Sequence, residues 1–249
     1  MKAMILAAGL GTRLRPLTDN RPKALVEIAG RTMLEITLAR LRAFDIRDVI
    51  INVHHFADMI VDYLNANQNF GMHIQISREE VLLDTGGGLK KAAYFFLENS
   101  HGSESPFILH NVDVISTIDL SRMINFHTEN RALATLAVQD RNSSRYLLFD
   151  ERHQLRGRES ALDQKNETAR TPQPVQALAF SGIQVISPRF LEMITEEGAF
   201  SIITTYLRLA ALGEKILAFR ADSFYWRDLG TPENVQRVAE DIRNKVVPS

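Results

Sequence analysis

The stretch LAAGLGTRLRPLTDNRPKAL, Leu6 to Leu25, holds two glycines, three arginines, a lysine and two prolines behind an apolar, strand-like start. Glycines directly after a strand permit a tight turn that brings backbone N–H groups close to a ligand, as phosphate-binding loops do. Neither standard glycine loop fits. A dinucleotide fingerprint needs a third glycine where Leu14 stands, and it needs a helix that Pro16 opposes. The Gly-Lys-Ser/Thr ending of a P-loop is absent. What remains is a Gly9-Leu10-Gly11 turn followed by Thr12, Arg13, Arg15 and Lys23. Arginine supplies a planar fork of donors and lysine a compact cation, a pairing suited to a group with several phosphates. Pro16 and Pro22 restrict the connecting backbone, so less ordering is needed on binding. A solvated loop of scattered charges has the same composition, and composition alone does not separate the two. Lys23 reads as an exposed loop residue with little packing to lose.

The elements around this stretch alternate. Strand patterns at 3–8, 49–53, 73–77 and 106–113 are separated by helical patterns, one following Gly30 and others near 56–66, 87–98 and 119–129, which implies βαβ units and a mostly parallel sheet. Leu34, Leu38 and Leu41 mark the buried face of the first helix. The second half is richer in strands, with candidates at 132–138, 144–151, 177–187 and 215–221. Ser201 caps a helix that stops before Gly213, and Thr231-Pro232 opens a last one with Val235, Val238, Ala239 and Ile242 inward. The polar segment 152–174, closed by Pro172 and Pro174, reads as a surface excursion. No internal repeat or hexapeptide pattern is present, and residues 1–249 read as a single domain.

Composition narrows the function classes. Of 249 residues, 45% are hydrophobic and 24% charged, so a sizeable core can form. The 29 basic and 30 acidic side chains leave a net charge of −1, without the basic excess of a nucleic-acid binder, so the cations of the opening stretch are a local feature. No cysteine is present, which excludes disulfides, thiolate metal sites and a cysteine nucleophile. The apolar start ends at Gly9, shorter than the roughly 7–15 residues of a secretory signal core. No stretch approaches the roughly 20 apolar residues of a membrane span. A soluble, cytoplasmic protein with no nucleic-acid or membrane partner is expected.

The opening stretch resembles the signature of the sugar-1-phosphate nucleotidyltransferases: an apolar strand, G-x-G-T-R-L-x-P-L-T, then P-K. Further segments follow that family's order, namely DTGGG at 84–88, NVD at 111–113, FSG at 180–182 and WRDLGT at 226–231. The resemblance spans residues 1 to about 244. It implies a three-layer, Rossmann-like α/β fold of the nucleotide-diphospho-sugar transferase type, its mostly parallel (mixed) sheet covered by helices on both faces. It also implies nucleotide contacts at Leu6, Ala8, Gly9, Gly11, Thr12, Arg13, Lys23, Glu79, Gly87 and Asn111, and sugar contacts at Gly182 and Asp113. Asp113 and Asp228 match the family's two Mg²⁺ carboxylates. Read alone, Asp113 is as well a turn aspartate and Asp228 a capping partner for the last helix. DTGGG reads as an open glycine loop before a helix, with room for a flat base.

Two departures stand out. Val112 replaces the family's usual glycine, and no E-K-P occurs between 140 and 177, so the lysine that grips the sugar phosphate has no direct counterpart. Lys165, Arg170 and Arg145 are candidates to replace it. The missing E-K-P, the TGGG loop and the short C-terminus resemble the subgroup that makes UDP-N-acetylmuramic acid in cell-wall (peptidoglycan) recycling. The implied reaction is attack of a sugar 1-phosphate on the α-phosphorus of a nucleoside triphosphate, with Arg13 on the β/γ-phosphates and Lys23 bridging both substrates. UTP with N-acetylmuramic acid 1-phosphate is the expected pair. GTP with mannose 1-phosphate and CTP with phosphocholine are rivals within the fold. A glycosyltransferase would show Asp-x-Asp, which NVDVIS lacks, and an inactive nucleotide sensor would not need intact Arg13, Lys23, Asp113 and Asp228. His54-His55 is not a metal pair, because adjacent residues at a strand end point to opposite sides. One of the two is expected to face the sugar pocket, and Tyr225 and Trp226 to form pocket wall or core. Oligomeric state is not legible.

Overall fold

The computed structural model describes residues 1–98, 105–160, 165–168 and 174–246. β1 (Lys2–Leu6) leads into the cation-bearing loop, then the short antiparallel pair β2 (Glu27–Ile28) and β3 (Arg31–Thr32), then α1 (Met33–Ala43). β4 (Asp48–Val53), α2 (Ala57–Ala66), β5 (His73–Arg78), α3 (Asp84–Lys91), α4 (Ala93–Leu97) and β6 (Phe107–Asn111) follow. β4 and β6 flank β1 and β5 lies outside β4, all in parallel. The parallel half anticipated from the alternating pattern is therefore present.

The second half makes the sheet mixed. After β7 (Val114–Ser116), α5 (Leu120–Asn130), β8 (Ala134–Gln139), β9 (Arg145–Phe149), β10 (Leu155–Ser160) and β11 (Lys165–Thr168) comes β12 (Gln176–Ile186). β12 runs antiparallel between β6 and β8. α6 (Arg189–Glu192) and α7 (Ile202–Ala211) lead to β13 (Ile216–Arg220), parallel to β8, then to β14 (Trp226–Asp228) and α8 (Pro232–Arg243).

Two expectations need correction. Much of 152–174 is not a loose excursion: β10 pairs antiparallel with β9 and β11 with β10, so the sheet is extended outward from β12. Leu155 is buried while the rest of β10 carries polar residues, which is why the stretch lacks a strand's apolar alternation. Pro172 lies outside the described residues. DTGGG is likewise not an open loop, because Gly86, Gly87 and Gly88 lie buried inside α3. A Cβ on Gly86 would stand 2.3 Å from the Phe200 ring, one on Gly87 2.4 Å from the Gly198 carbonyl, and one on Gly88 2.7 Å from Glu79 Oε1. Helical glycine costs about 1 kcal/mol each against alanine, and close packing at these three positions outweighs that preference.

The sheet separates two apolar layers, and strand alternation assigns residues to them. Ile5, Ile51 and Ile108 face a layer closed by Leu34, Leu38, Leu41, Ile60, Met123 and Val238. Met4, Ile50 and Leu109 face the other, closed by Leu89, Phe96, Phe190, Tyr206 and Leu209. Helix starts follow the sequence signals: Thr32 Oγ1 accepts from the Glu35 N–H at 3.0 Å, Asp119 Oδ1 from Arg122 at 3.0 Å, and Thr231 caps α8 with Pro232 at its first position. Together these elements hold the C-terminal ends of β1 and β6 side by side.

Candidate active site

The glycine turn is fixed from below. The Ala7 N–H donates to Asn52 Oδ1 at 2.8 Å, and Asn52 Nδ2 donates to Glu79 Oε1 at 2.7 Å. Glu79, 5% exposed, also accepts from the Leu83 N–H at 3.0 Å through Oε2, so both carboxylate oxygens point into the fold. Glu79 therefore supports the turn; its side chain does not face an open pocket. Leu6 accepts from the Val112 N–H at 3.1 Å, and Ala8 is buried, so the strand is held up to the turn itself.

Within the turn the two glycines differ. Gly11 has φ +65°, and a Cβ there would meet Thr18 Cγ2 at 3.0 Å and Lys23 Cβ at 3.2 Å, so the fold requires glycine. Gly9 is exposed with nothing within 4 Å of a Cβ, so packing gives no reason for glycine there and its backbone is open to approach. Residues 12–14 form a 3₁₀ turn that buries Leu14 and leaves Thr12 and Arg13 outside. Arg15 points away to an exposed pair with Asp19 at 3.5 Å. A second 3₁₀ turn, residues 23–25, buries Ala24 and Leu25 and so fixes Lys23 from its C-terminal side.

Lys23 is not the exposed residue expected. Its ammonium is ion-paired with Asp113 Oδ2, and the two side chains are 13% and 20% exposed. Asp228 reaches the same place by strand pairing. β14 runs antiparallel to β7 with Asp228 opposite Val114, and the Leu229 N–H donates to the Asp113 carbonyl at 2.8 Å. Asp228 Oδ1 accepts from the Gly230 N–H at 3.0 Å and Oδ2 from Asn234 Nδ2 at 3.4 Å. A Cβ on Gly230 would meet both Arg13 Nη2 and Asp228 Oδ1 at 2.8 Å, which places the Arg13 guanidinium over Gly230 beside Asp228. Arg13, Lys23, Asp113 and Asp228 thus converge at the ends of β1 and β6. Asn111 and Gly182 join them: Gly182 has φ +73°, and its Cβ would fall 3.0 Å from Asn111 Nδ2. Val112 turns its side chain into the core at 3% exposure, so it occupies no space at the site.

Two expected residues lie elsewhere in function or place. The Gly87 N–H, like that of Gly86, is directed at the Phe200 carbonyl, at 3.3 Å and 2.9 Å. Gly87 acts in this conformation as a packing residue of α3, not as a free donor. His54 Nδ1 lies 2.8 Å from the Glu79 carbonyl and the His55 ring packs tilted against Phe56, ring centres 3.9 Å apart, so each ring is engaged away from the carboxylates. Of the cations weighed in place of the missing lysine, Arg145 is exposed on β9. Arg170 and the side chain of Lys165 lie outside the described residues.

A residue not singled out from the sequence enters here. Arg141 Nη2 donates to the Phe180 carbonyl at 2.8 Å, and its guanidinium carbon stands 3.6 Å from the centre of the Trp226 ring. Trp226 is itself held by its indole N–H on the Ser181 carbonyl at 2.7 Å. Burial lowers the Arg141 pKa from the ordinary guanidinium range, while the nearby Asp228 acts in the opposite direction. No local pattern marks a lone arginine after a strand.

Two hard carboxylates brought together by the pairing of β14 with β7 suit Mg²⁺, which takes one or two carboxylates and completes its shell with water and phosphate oxygens. A side chain at position 230 would crowd both Arg13 and Asp228, so the site requires glycine there.

Residues 2–245 match the Nucleotidyl transferase family. An N-acetylmuramate alpha-1-phosphate uridylyltransferase of Caulobacter vibrioides is 46% identical over 116 residues, covering 45% of this chain and 46% of that protein. A mannose-1-phosphate guanylyltransferase of Mycobacterium tuberculosis is 30% identical over 99% of this chain and 66% of its own length. The chain therefore spans about half to two thirds of these relatives. Among solved structures, HddC of Yersinia pseudotuberculosis, crystallised with GMP-PN, has a TM-score of 0.75 at 22% identity, covering 97% of this chain and 99% of that one. The inositol-1-phosphate CTP transferase of T. maritima has a TM-score of 0.70 at 17% identity, covering 96% and 93%. Both establish the α/β fold with its mixed sheet.

Proposed function

The chain belongs to the nucleotidyl transferase family, and we propose that it joins a nucleoside triphosphate to a sugar 1-phosphate as one catalytic domain, releasing pyrophosphate. The observation that carries this reading is the meeting of two loop cations and two carboxylates at the C-terminal ends of β1 and β6, where open α/β sheets bind ligands.

The sugar phosphate needs no general base, since a phosphate monoester with a second pKa of about 6 is largely ionised at neutral pH. One of its oxygens attacks the α-phosphorus, a new P–O bond forms, and the bond to the bridging β-oxygen breaks. The chain's task is to align two polyanions and offset their repulsion. Arg13, outside the first turn, faces the β/γ-phosphates and the departing pyrophosphate. Lys23, released from Asp113, bridges the α-phosphate and the incoming phosphate. The open backbone at Gly9 accepts the nucleotide, and Thr12, Asn111 and Gly182 line the cleft. Asp113 and Asp228 would hold Mg²⁺, which would neutralise phosphate charge.

For the substrate pair, UTP with N-acetylmuramic acid 1-phosphate has the support of the 46% identity to the Caulobacter uridylyltransferase. GTP with mannose 1-phosphate is the second reading, because the Mycobacterium guanylyltransferase aligns over nearly the whole chain. A cytoplasmic place fits both, and no helix among the described residues is long and apolar enough to cross a membrane. Pyrophosphate release measured for UTP, GTP, dTTP and CTP, each with muramic, glucosamine, glucose and mannose 1-phosphates, tests the proposal. The UTP and muramic pair should have the highest kcat/KM. Highest turnover with GTP and mannose 1-phosphate replaces the pair, and no metal-dependent release with any combination rejects the activity.

A further inference from the structure

We propose that Arg141 is the receptor for the phosphate of the sugar 1-phosphate, a binding role that rests on the transfer reaction proposed above. Charge balance supplies the first reason. Lys23 is paired with Asp113, and Arg13 lies beside Asp228. One of the two loop cations is thus neutralised by a carboxylate, which leaves little positive charge for a triphosphate and a second phosphate together. Arg141 adds a third cation, and among the described residues no carboxylate lies within ion-pair distance of it; its one hydrogen bond is to the Phe180 carbonyl.

Its geometry supplies the second. The guanidinium is clamped between that carbonyl and the face of Trp226, whose own N–H is anchored on Ser181. The clamp leaves the arginine fork pre-set, so less side-chain freedom is lost when an oxyanion binds. Nε is buried without a partner. A buried donor of this kind is costly to leave unmet, and an oxyanion satisfies it with a charge-assisted hydrogen bond.

Position supplies the third. Arg141 touches the segment Phe180-Ser181-Gly182, and Gly182 lies against Asn111, two residues before Asp113. Lys23 and Arg13 come from the opening loop on the nucleotide side. Arg141 and the two loop cations thus come from different elements, and Asp228 lies near both Arg13 and Arg141. The arrangement gives each phosphorylated substrate its own contact and leaves the carboxylates to serve both.

The chain's only tryptophan is Trp226, so its emission reports directly on this stack. Wild type, Arg141→Lys and Arg141→Met are to be titrated calorimetrically with N-acetylmuramic acid 1-phosphate and N-acetylglucosamine 1-phosphate. KM values for nucleotide and sugar phosphate are measured in parallel, and melting curves check folding. Loss of one charge-assisted contact corresponds to roughly a 10–100-fold weaker Kd. Arg141→Met should lose that much for both sugar phosphates, Arg141→Lys less, with the nucleotide KM changed by less than about threefold. Sugar phosphates should shift Trp226 emission in wild type and not in Arg141→Met. Should Arg141→Met fail to fold, Arg141→Lys decides through the same split between the two KM values. Wild-type affinity in the variants, or an equal loss for nucleotide, overturns the proposal. A loss confined to the carboxylate-bearing muramic sugar overturns it too, since the contact would then be to the lactyl group. Wild type that binds no sugar phosphate rejects it outright. Wild type that binds sugar phosphate through Arg141 but releases no pyrophosphate would reject the transfer reaction alone.

Discussion

Lys23→Ala removes one partner of a largely buried ion pair, so two separable losses are expected. In stability, the 13% and 20% exposures mean that Asp113 is left poorly solvated and without its cation. Breaking a fully buried pair this way costs about 3–5 kcal/mol, and partial exposure at a cleft edge reduces that to about 1–2 kcal/mol. For a chain of this size each kcal/mol shifts Tm by about 2–4 °C, so a drop of about 2–8 °C is expected. In catalysis, a cation that contacts both phosphates during transfer should cost roughly 100-fold or more in kcat/KM, about 2.7 kcal/mol. The two are separated by adding Asp113→Asn. The double variant should recover most of the melting temperature, because the stranded charge is gone, and none of the activity. Thermal melts and pyrophosphate-release kinetics on the three variants decide the matter. Lys23→Ala with kcat/KM within threefold of wild type would show that the loop is not the phosphate grip. A double variant less stable than the single one would show that the ion pair is not the source of the stability loss.

Glycine substitutions should separate fold from function. Gly86→Ala forces a Cβ to within 2.3 Å of Phe200 and should cost about 1–3 kcal/mol in denaturant unfolding, whereas Gly9→Ala has open space and should leave Cm unchanged while weakening nucleotide binding. Stability should also depend on pH through His127, whose ring is held by Thr135 Oγ1 and Ser187 Oγ, each at 3.0 Å, and whose pKa burial lowers to about 4. The unfolded value of about 6.5 is higher, so the unfolded chain takes up the proton first. Stability is then full above about pH 6.5 and declines as pH falls toward 4, by about 2 kcal/mol at pH 5 from this group. Equal pH slopes for wild type and His127→Gln in urea unfolding would contradict that assignment.

Local signals gave the parallel half of the fold because each element there carries its own pattern. Leu34, Leu38 and Leu41 show the buried helical face, and Thr231-Pro232 shows the start of α8. What escaped depends on distant contacts. The glycines of DTGGG argue against a helix in isolation, yet Phe200 and Gly198 decide the matter from α7's approach. β10 and β11 gain their strand character from pairing with β9, since polar residues such as those of LRGRES and KNET show no alternation. At the site, Arg13, Lys23, Asp113 and Asp228 were legible through motif resemblance. The burial of Lys23 was not, because its partner lies 90 residues further along. Arg141 was missed for the same reason: the Phe180 carbonyl and the Trp226 ring that give it meaning are on other strands.

The ribbon of Val114–Ser116 with Trp226–Asp228 also ties the site to a segment made late in synthesis. A ribosome delivers the N-terminal portion first, and domains begin to fold as they emerge. β1, β4, β5 and β6, with Lys23 and Asp113, are translated well before β14. Asp228, the seat of Arg13 over Gly230 and the indole under Arg141 all arrive with the last strand and helix. The cluster of Arg13, Lys23, Asp113 and Asp228 is therefore complete only once β14 has paired with β7.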